Sequence, residues 1–395
     1  MNPVYEYIVA VLIAILMLGY TYYSITTLSS NQLQLVEEEQ LDVVASRLFD
    51  KILLTQGYPE DWGSNIYVNN TSLKDFGLAL LHGKMYDLDV DKVMRMFTGA
   101  SEIINPLYIN TTTFGTLTGL YDSGSGYWKY GFRFYLKTAL NITIEKADTK
   151  TPTEKFRVNV KNFMGKNAPN AEVKGTYIVI YVVKQGNEQY FDYSYVTVNN
   201  MTNWLGETML DFKNNMPQVP QGISEYAYCL VASVNYYGLQ SQHSYVANTI
   251  PTLGLTIQGK YLIANFTQVE DIARGAHHLE LTAFELTSSL TMILNPAIDV
   301  TNGEAGKIIN YGGENYRVYE LENEPSQDVI IVGLLVKKQG KWGLVFASRP
   351  RTPVAVDYMS LGIKSAGINT VTLSRIVRIG TNSYYAELTL WRMSE

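Results

Sequence analysis

The chain has 395 residues, 46% apolar and 17% charged, with a net charge of −6. That composition supplies packed cores for two or three domains and excludes a mainly disordered chain. The acidic balance, with no Lys/Arg cluster, excludes an ordinary nucleic-acid binder, which presents a basic face.

The first element is a helix. Ile8 to Gly19 is unbroken apolar sequence, flanked by Tyr5 and Tyr7 on one side and by Tyr20, Tyr22 and Tyr23 on the other. With its flanks it reaches the roughly 20 residues that cross a bilayer, and the tyrosines match an interfacial aromatic belt. Ile8, Val11, Leu12, Ile15, Leu16 and Leu18 are expected to face lipid or a helical core. A buried helix of a soluble core is the plain alternative. Glu6 is the only charged side chain among the first 36 residues, and the first basic residue is Arg47. No positive segment or cleavage site of a secretory signal is evident, so an uncleaved anchor, or a chain already trimmed, is expected.

The helix is predicted to continue. Between Val4 and Gln56 there is no proline and a single glycine, Gly19. Leu41, Val44, Leu48 and Ile52 recur at spacings of three and four and mark one apolar face, with Glu37, Glu38, Glu39, Asp42 and Asp50 at polar positions. Gly57 and Pro59 supply the stop. The result is one rod of about 50 residues, roughly 75 Å long, apolar all round in its first half and amphipathic in its second.

A long N-terminal helix of this kind, with one acid near its start, resembles type IV pilins and pseudopilins. The stretches Ile52–Gly63 and Phe76–Val93 resemble archaeal pilin-like surface proteins, so the resemblance covers about the first 100 residues. In that family a glutamate at the fifth mature position neutralises the α-amino group of a neighbouring subunit in the filament core. With Met1 removed, Glu6 would sit fifth. The physical motive is that an unpaired carboxylate among apolar groups is costly; the plain alternative leaves Glu6 at the water interface. The opening Met-Asn-Pro-Val-Tyr-Glu lacks the basic and small residues that precede the cleavage site of prepilins.

Residues 56–129 read as a connector with short helices. Asp87, Asp89 and Asp91 alternate like a calcium loop, but Lys92 replaces the required glycine and Thr98 the closing glutamate. A helix start at Asp89 or Asp91 is expected instead. Gly124-Ser-Gly126 is a turn.

Beyond Tyr130 the period becomes that of strands. Phe156, Val158 and Val160 share one face, Tyr177–Val183 reads as a central strand, and Tyr226–Tyr237 as another. A β-sandwich is expected over 130–248, and Val196–Phe212 resembles immunoglobulin-type modules. The single cysteine, Cys229, reads as a small core residue. A second β-rich domain is expected over 249–395, with hairpins Asp328–Val336/Trp342–Ala347 and Thr370–Ile379/Tyr384–Trp391. The fold class is therefore α+β, mostly β: a long helix over 1–55, transmembrane then amphipathic, the connector, and two sandwich-like domains.

Glycosylation sequons stand at Asn69, Asn70, Asn110, Asn141, Asn200 and Asn265. Metal spacing is missing around His82, His243, His277 and His278, and neither a P-loop nor a nucleotide fingerprint occurs. No cofactor, no metal and no catalytic residue is expected. The expectation is a non-enzymatic structural or adhesive protein of the cell surface, a pilin-like filament subunit with β domains outside. Its partners would be copies of itself through the helix, the membrane, and a glycan or surface protein. A single-pass anchored binding module that does not polymerise is the competing expectation.

Overall fold

The computed structural model describes residues 3–96, 107–185, 188–224, 226–246, 255–265, 280–281, 284–286, 290–292, 298–299, 307–311, 314–321, 325, 330–338, 341–350, 354–358 and 370–393. The chain is mostly β, in several antiparallel sheets, with one long N-terminal helix. That helix, α1, runs unbroken over Pro3–Leu54, 52 residues and about 78 Å. It stops before Gly57, which adopts a positive φ of 72°.

The connector carries α2 (Val90–Met94), α3 (Thr111–Thr118) and the small hairpin β1 (Tyr121–Asp122)/β2 (Tyr127–Trp128). Asp89 is the N-cap of α2: its carboxylate accepts from the amides of Asp91 and Lys92. Asn110 caps α3 in the same way, accepting from the Thr113 amide. Both caps satisfy amides that the first turn leaves without intrahelical partners.

The strands follow in chain order: β3 (Tyr130–Thr138), β4 (Leu140–Lys146), β5 (Lys155–Asn162), β6 (Glu172–Gln185), β7 (Glu188–Met201), β8 (Glu207–Asp211), β9 (Tyr226–Tyr236) and β10 (Leu239–Val246). The next unit holds β11 (Leu255–Gln258), β12 (Tyr261–Asn265), the short pieces β13 (Glu280–Leu281), β14 (Phe284–Leu286), β15 (Leu290–Met292) and β16 (Ile298–Asp299), then β17 (Lys307–Tyr311), β18 (Glu314–Glu320), β19 (Ile330–Lys338) and β20 (Lys341–Arg349). The chain closes with β21 (Val354–Tyr358), β22 (Thr370–Ile379) and β23 (Asn382–Arg392).

Strands β4–β10 form a sandwich. One sheet has the order β4-β5-β8 and the other β10-β9-β6-β7. Their inner faces share one core, with Phe156, Val158, Val160, Val173, Tyr177, Leu210, Leu230 and Val234 buried. The alternation read along Lys155–Lys161 is the alternation of this inner face. The following unit is built on a four-stranded sheet β11-β12-β18-β17, beside the hairpin β19–β20 and the pairs β13–β16 and β14–β15.

Two boundaries differ from the sequence expectation. β3 does not open the sandwich, and the C-terminal hairpin does not belong with the second β unit. Both enter a separate sheet of order β21-β3-β23-β22. In it Phe132, Phe134 and Leu136 stand opposite Leu390, Leu388 and Ala386. All six are fully buried. They form one apolar face against Leu41, Ala45, Leu48, Phe49, Ile52 and Leu53 of α1, in a core that also takes in Phe76, Leu88, Val93 and Phe114 of the connector. Fully burying a Leu or Phe side chain is worth about 1.5–3 kcal/mol, so this face fixes the second half of the helix. The two other β units are inserted between the strands of this one sheet. By sequence, residues 130–138 and 370–392 fall in different domains, because strand periodicity identifies an apolar face without identifying what covers it.

The connector is stitched to the sheet at Asp87, which makes a parallel bridge to Arg378 of β22. The Leu88 amide donates to the Arg378 carbonyl at 2.7 Å, and the Arg378 guanidinium pairs with Asp87 at 2.8 Å.

Candidate anchoring and assembly site

The two halves of α1 have opposite surroundings. From Leu41 onward one face is packed on the sheet. From Tyr7 to Thr27 none of the described residues covers the helix: this 21-residue stretch is long and apolar enough to cross a membrane, and its apolar span is not buried. Ile8, Val11, Leu12, Ile15, Leu16 and Leu18 all lie in it, and its large apolar side chains are between 47% and 78% exposed. The helix is apolar on every side here, so no rotation hides this surface from water.

The three threonine hydroxyls of the stretch are internally satisfied. The hydroxyls of Thr21, Thr26 and Thr27 donate back to the carbonyls of Met17, Tyr22 and Tyr23, four residues earlier, at 2.7–2.8 Å. This back-bonding lets threonine sit in an apolar medium without an orphan donor. Gly19 has open space around it, so its small size serves no contact within the chain. Glu6 lies within α1, in its first turn; its side chain is outside the described residues.

At the other end the helix is held by specific polar contacts as well as packing. Lys51 donates through Nζ to the Leu117 carbonyl at 2.8 Å and pairs with Asp75 at 2.9 Å. Thr55 Oγ1 donates to the Lys51 carbonyl at 2.7 Å. Gly77 sits so close to the helix end that an added Cβ would lie 2.2 Å from the Thr55 carbonyl oxygen.

A second constellation is a buried charged junction in the connector. Arg95 is fully buried and donates to the carbonyls of Leu107, Trp62 and Val68. Lys92 donates to the Ala79 carbonyl at 3.1 Å. Burial lowers the pKa of Lys92 and raises that of Asp89, the latter with help from the neighbouring Asp91 charge. Perturbed groups in a cleft point to catalysis, but these are locked into backbone contacts inside the connector. Their visible role is to hold loops whose carbonyls lack strand partners. Sequence reading missed the junction, since nothing in the spacing of Asp91, Lys92 and Arg95 marks them as buried.

The remaining expected site residues are scattered. Asn69 and Asn141 are exposed, and Asn69 closes an Asx turn with the amides of Thr71 and Ser72. Asn70 and Asn200 donate through Nδ2 to the carbonyls of Tyr108 and Met209. Asn110 is the cap already described. Asn265 lies in β12, with its side chain outside the described residues. His82 and His243 are exposed, and His277 and His278 lie outside the described residues. Among the described residues no group of three His, Cys, Asp or Glu is placed to hold a metal.

No family model matches the chain, and no curated protein matches it. Among solved structures, Spo0M, a sporulation control protein from Bacillus subtilis, aligns at 12% identity over 56% of this chain and 90% of that one, with a TM-score of 0.19. A superposition that poor transfers neither fold nor function.

Proposed function

We propose that this chain is a non-enzymatic structural or adhesive subunit of a cell surface, pilin-like in construction. In this reading the first halves of α1 from several copies pack together in a filament core and the β units face outward. The observation that carries the reading is the uncovered apolar stretch Tyr7–Thr27, continuous with a helix half that is clamped on its own sheet. An apolar surface of this extent requires lipid or neighbouring copies to cover it. The clamp keeps the rod at a defined place on the β body, which a subunit repeated along a filament needs. Glu6 supplies the group expected to pair with a neighbour's α-amino group.

The competing reading, a single-pass anchor that never polymerises, is favoured by the tyrosines at both ends of the stretch, Tyr7 and then Tyr20, Tyr22 and Tyr23, all exposed. They suit the two interfaces of a bilayer.

Electron microscopy of purified full-length chain separates the two. Filaments, their loss in Glu6→Ala, and oxidative cross-linking between copies of Leu16→Cys support the assembly. Monomers in detergent and in vesicles, with no cross-link and no effect of Glu6→Ala, leave only the anchor.

A further inference from the structure

The outer face of the sandwich sheet β10-β9-β6-β7 carries an unusual grid at one end. In one register Gln240, Asn235, Glu172 and Met201 stand side by side across the four strands. Two residues along, the row is Gln242, Ser233, Lys174 and Asn199. The register between them contains Ser241, Val234 and Val173, which are at most 2% exposed and point into the sandwich core. Alternation therefore turns the two flanking rows outward together.

These rows line a cavity of about 930 Å³, whose far wall is the β22–β23 turn at Thr381 and Asn382. The chain just after the turn is held to the sheet by the Gln240 amide, which donates to Ser383 Oγ at 3.2 Å, and the Ala139 amide, between β3 and β4, donates to the Ser383 carbonyl at 2.9 Å. The volume is that of a site for a drug-sized ligand.

Three of the residues that line this space carry buried polar atoms without partners. Asn382 is only 2% exposed, yet neither its Nδ2 nor its Oδ1 has a hydrogen-bond partner within the protein. Gln242 Oε1 and Asn235 Oδ1 are buried without partners as well. The Nδ2 of Asn235 is engaged by Glu172 at 3.3 Å. Buried amide groups are almost always paired, and three side chains with unpaired groups around one cavity point to a ligand that completes them.

The chemistry of that ligand follows from the lining. Carboxamides place a donor and an acceptor on adjacent atoms, the pattern offered by vicinal hydroxyls, each both donor and acceptor. One carboxylate, Glu172, and one ammonium, Lys174, leave the lining neutral overall, so it has no preference for an ionic ligand. A strand-adding peptide would lie along the free edge of β7 or β10, whereas the cavity extends across the sheet over β6 and β9, which are paired on both sides. We infer that this cavity, between the outer face of the sandwich and the β22–β23 turn, is a binding site for a neutral polyhydroxylated ligand, a short glycan. The site does not depend on whether α1 assembles or merely anchors the chain.

The test uses full-length chain, made in a host that attaches no glycan to its sequons and held in a detergent without a sugar headgroup. Maltotriose, mannotriose and chitotriose are titrated in turn by calorimetry. Saturable binding of at least one is expected, with little change between low and high salt because the ligand is neutral. Gln242→Leu and Asn382→Leu are each expected to weaken it tenfold or more. Gln242→Leu lies on β10, across the cavity from the turn and outside it, so it reports on the site even where Asn382→Leu disturbs folding, and unchanged melting of Gln242→Leu accompanies the result. No saturable binding of any of the three sugars, or binding that survives Gln242→Leu, overturns the assignment.

Discussion

Asp91, in the five-residue helix α2, and Arg349, the last residue of β20, form an ion pair at 2.5 Å with both side chains buried to within 1%. The second carboxylate oxygen of Asp91 accepts from the Gly259 amide at 2.8 Å, and the Asp91 carbonyl accepts from Gln258 Nε2, also at 2.8 Å. One residue thus joins the connector to the β11–β12 turn and to β20. Removing one member of a buried pair leaves an uncompensated charge and costs about 3–5 kcal/mol. Asp91→Leu and Arg349→Met are each expected to destabilise by that amount in denaturant unfolding. The double variant Asp91→Leu/Arg349→Met should lose less than the sum of the two, because no buried charge remains.

Asp89 gives the connector a pH dependence. Burial, and then the Asp91 charge, raises its pKa above the ordinary carboxylate value, which is about 3.9. Between that value and the raised one, the folded chain keeps a proton that the unfolded chain has released. Stability from this group is complete below the ordinary value and is lost as pH rises through the raised one. Asn caps a helix as well as Asp does. Asp89→Asn should therefore gain stability relative to the parent as pH rises from about 4 toward neutrality, measured as the difference in melting temperature at each pH.

Leu388 of β23 is fully buried opposite Phe134 and faces the clamped half of α1. Leu388→Ala is expected to cost about 2–5 kcal/mol. The loss should also speed limited proteolysis near Leu41–Leu54, since the helix would lose part of its seat.

Cys229 is fully buried in β9, and burial pushes its thiol pKa up to about 12. The thiolate is the reactive form. Native protein should not react with a thiol reagent at neutral pH, and one equivalent should react after unfolding.

The sequence by itself determined the elements and their apolar faces. The rod of α1, its stop before Gly57, the cap at Asp89, the inner face of β5 and the two C-terminal-half hairpins are local facts. They are written in spacing, in cap and turn residues, and in the change of period from helix to strand. Leu41, Leu48 and Ile52 were read from spacing alone; Ala45, Phe49 and Leu53 belong to the same stripe and became evident only against the sheet.

What covers each face was decided by the tertiary structure. β3 pairs with β23 rather than with the sandwich, Asp91 meets Arg349, and Asn382, Gln242 and Asn235 come to line one cavity. These partners lie far apart in the chain, and periodicity reports that a face is apolar or polar without naming its neighbour. The uncovered half of α1 joins the two levels. Its apolar composition is plain in the sequence, and only the packing of the described residues shows that they leave it bare.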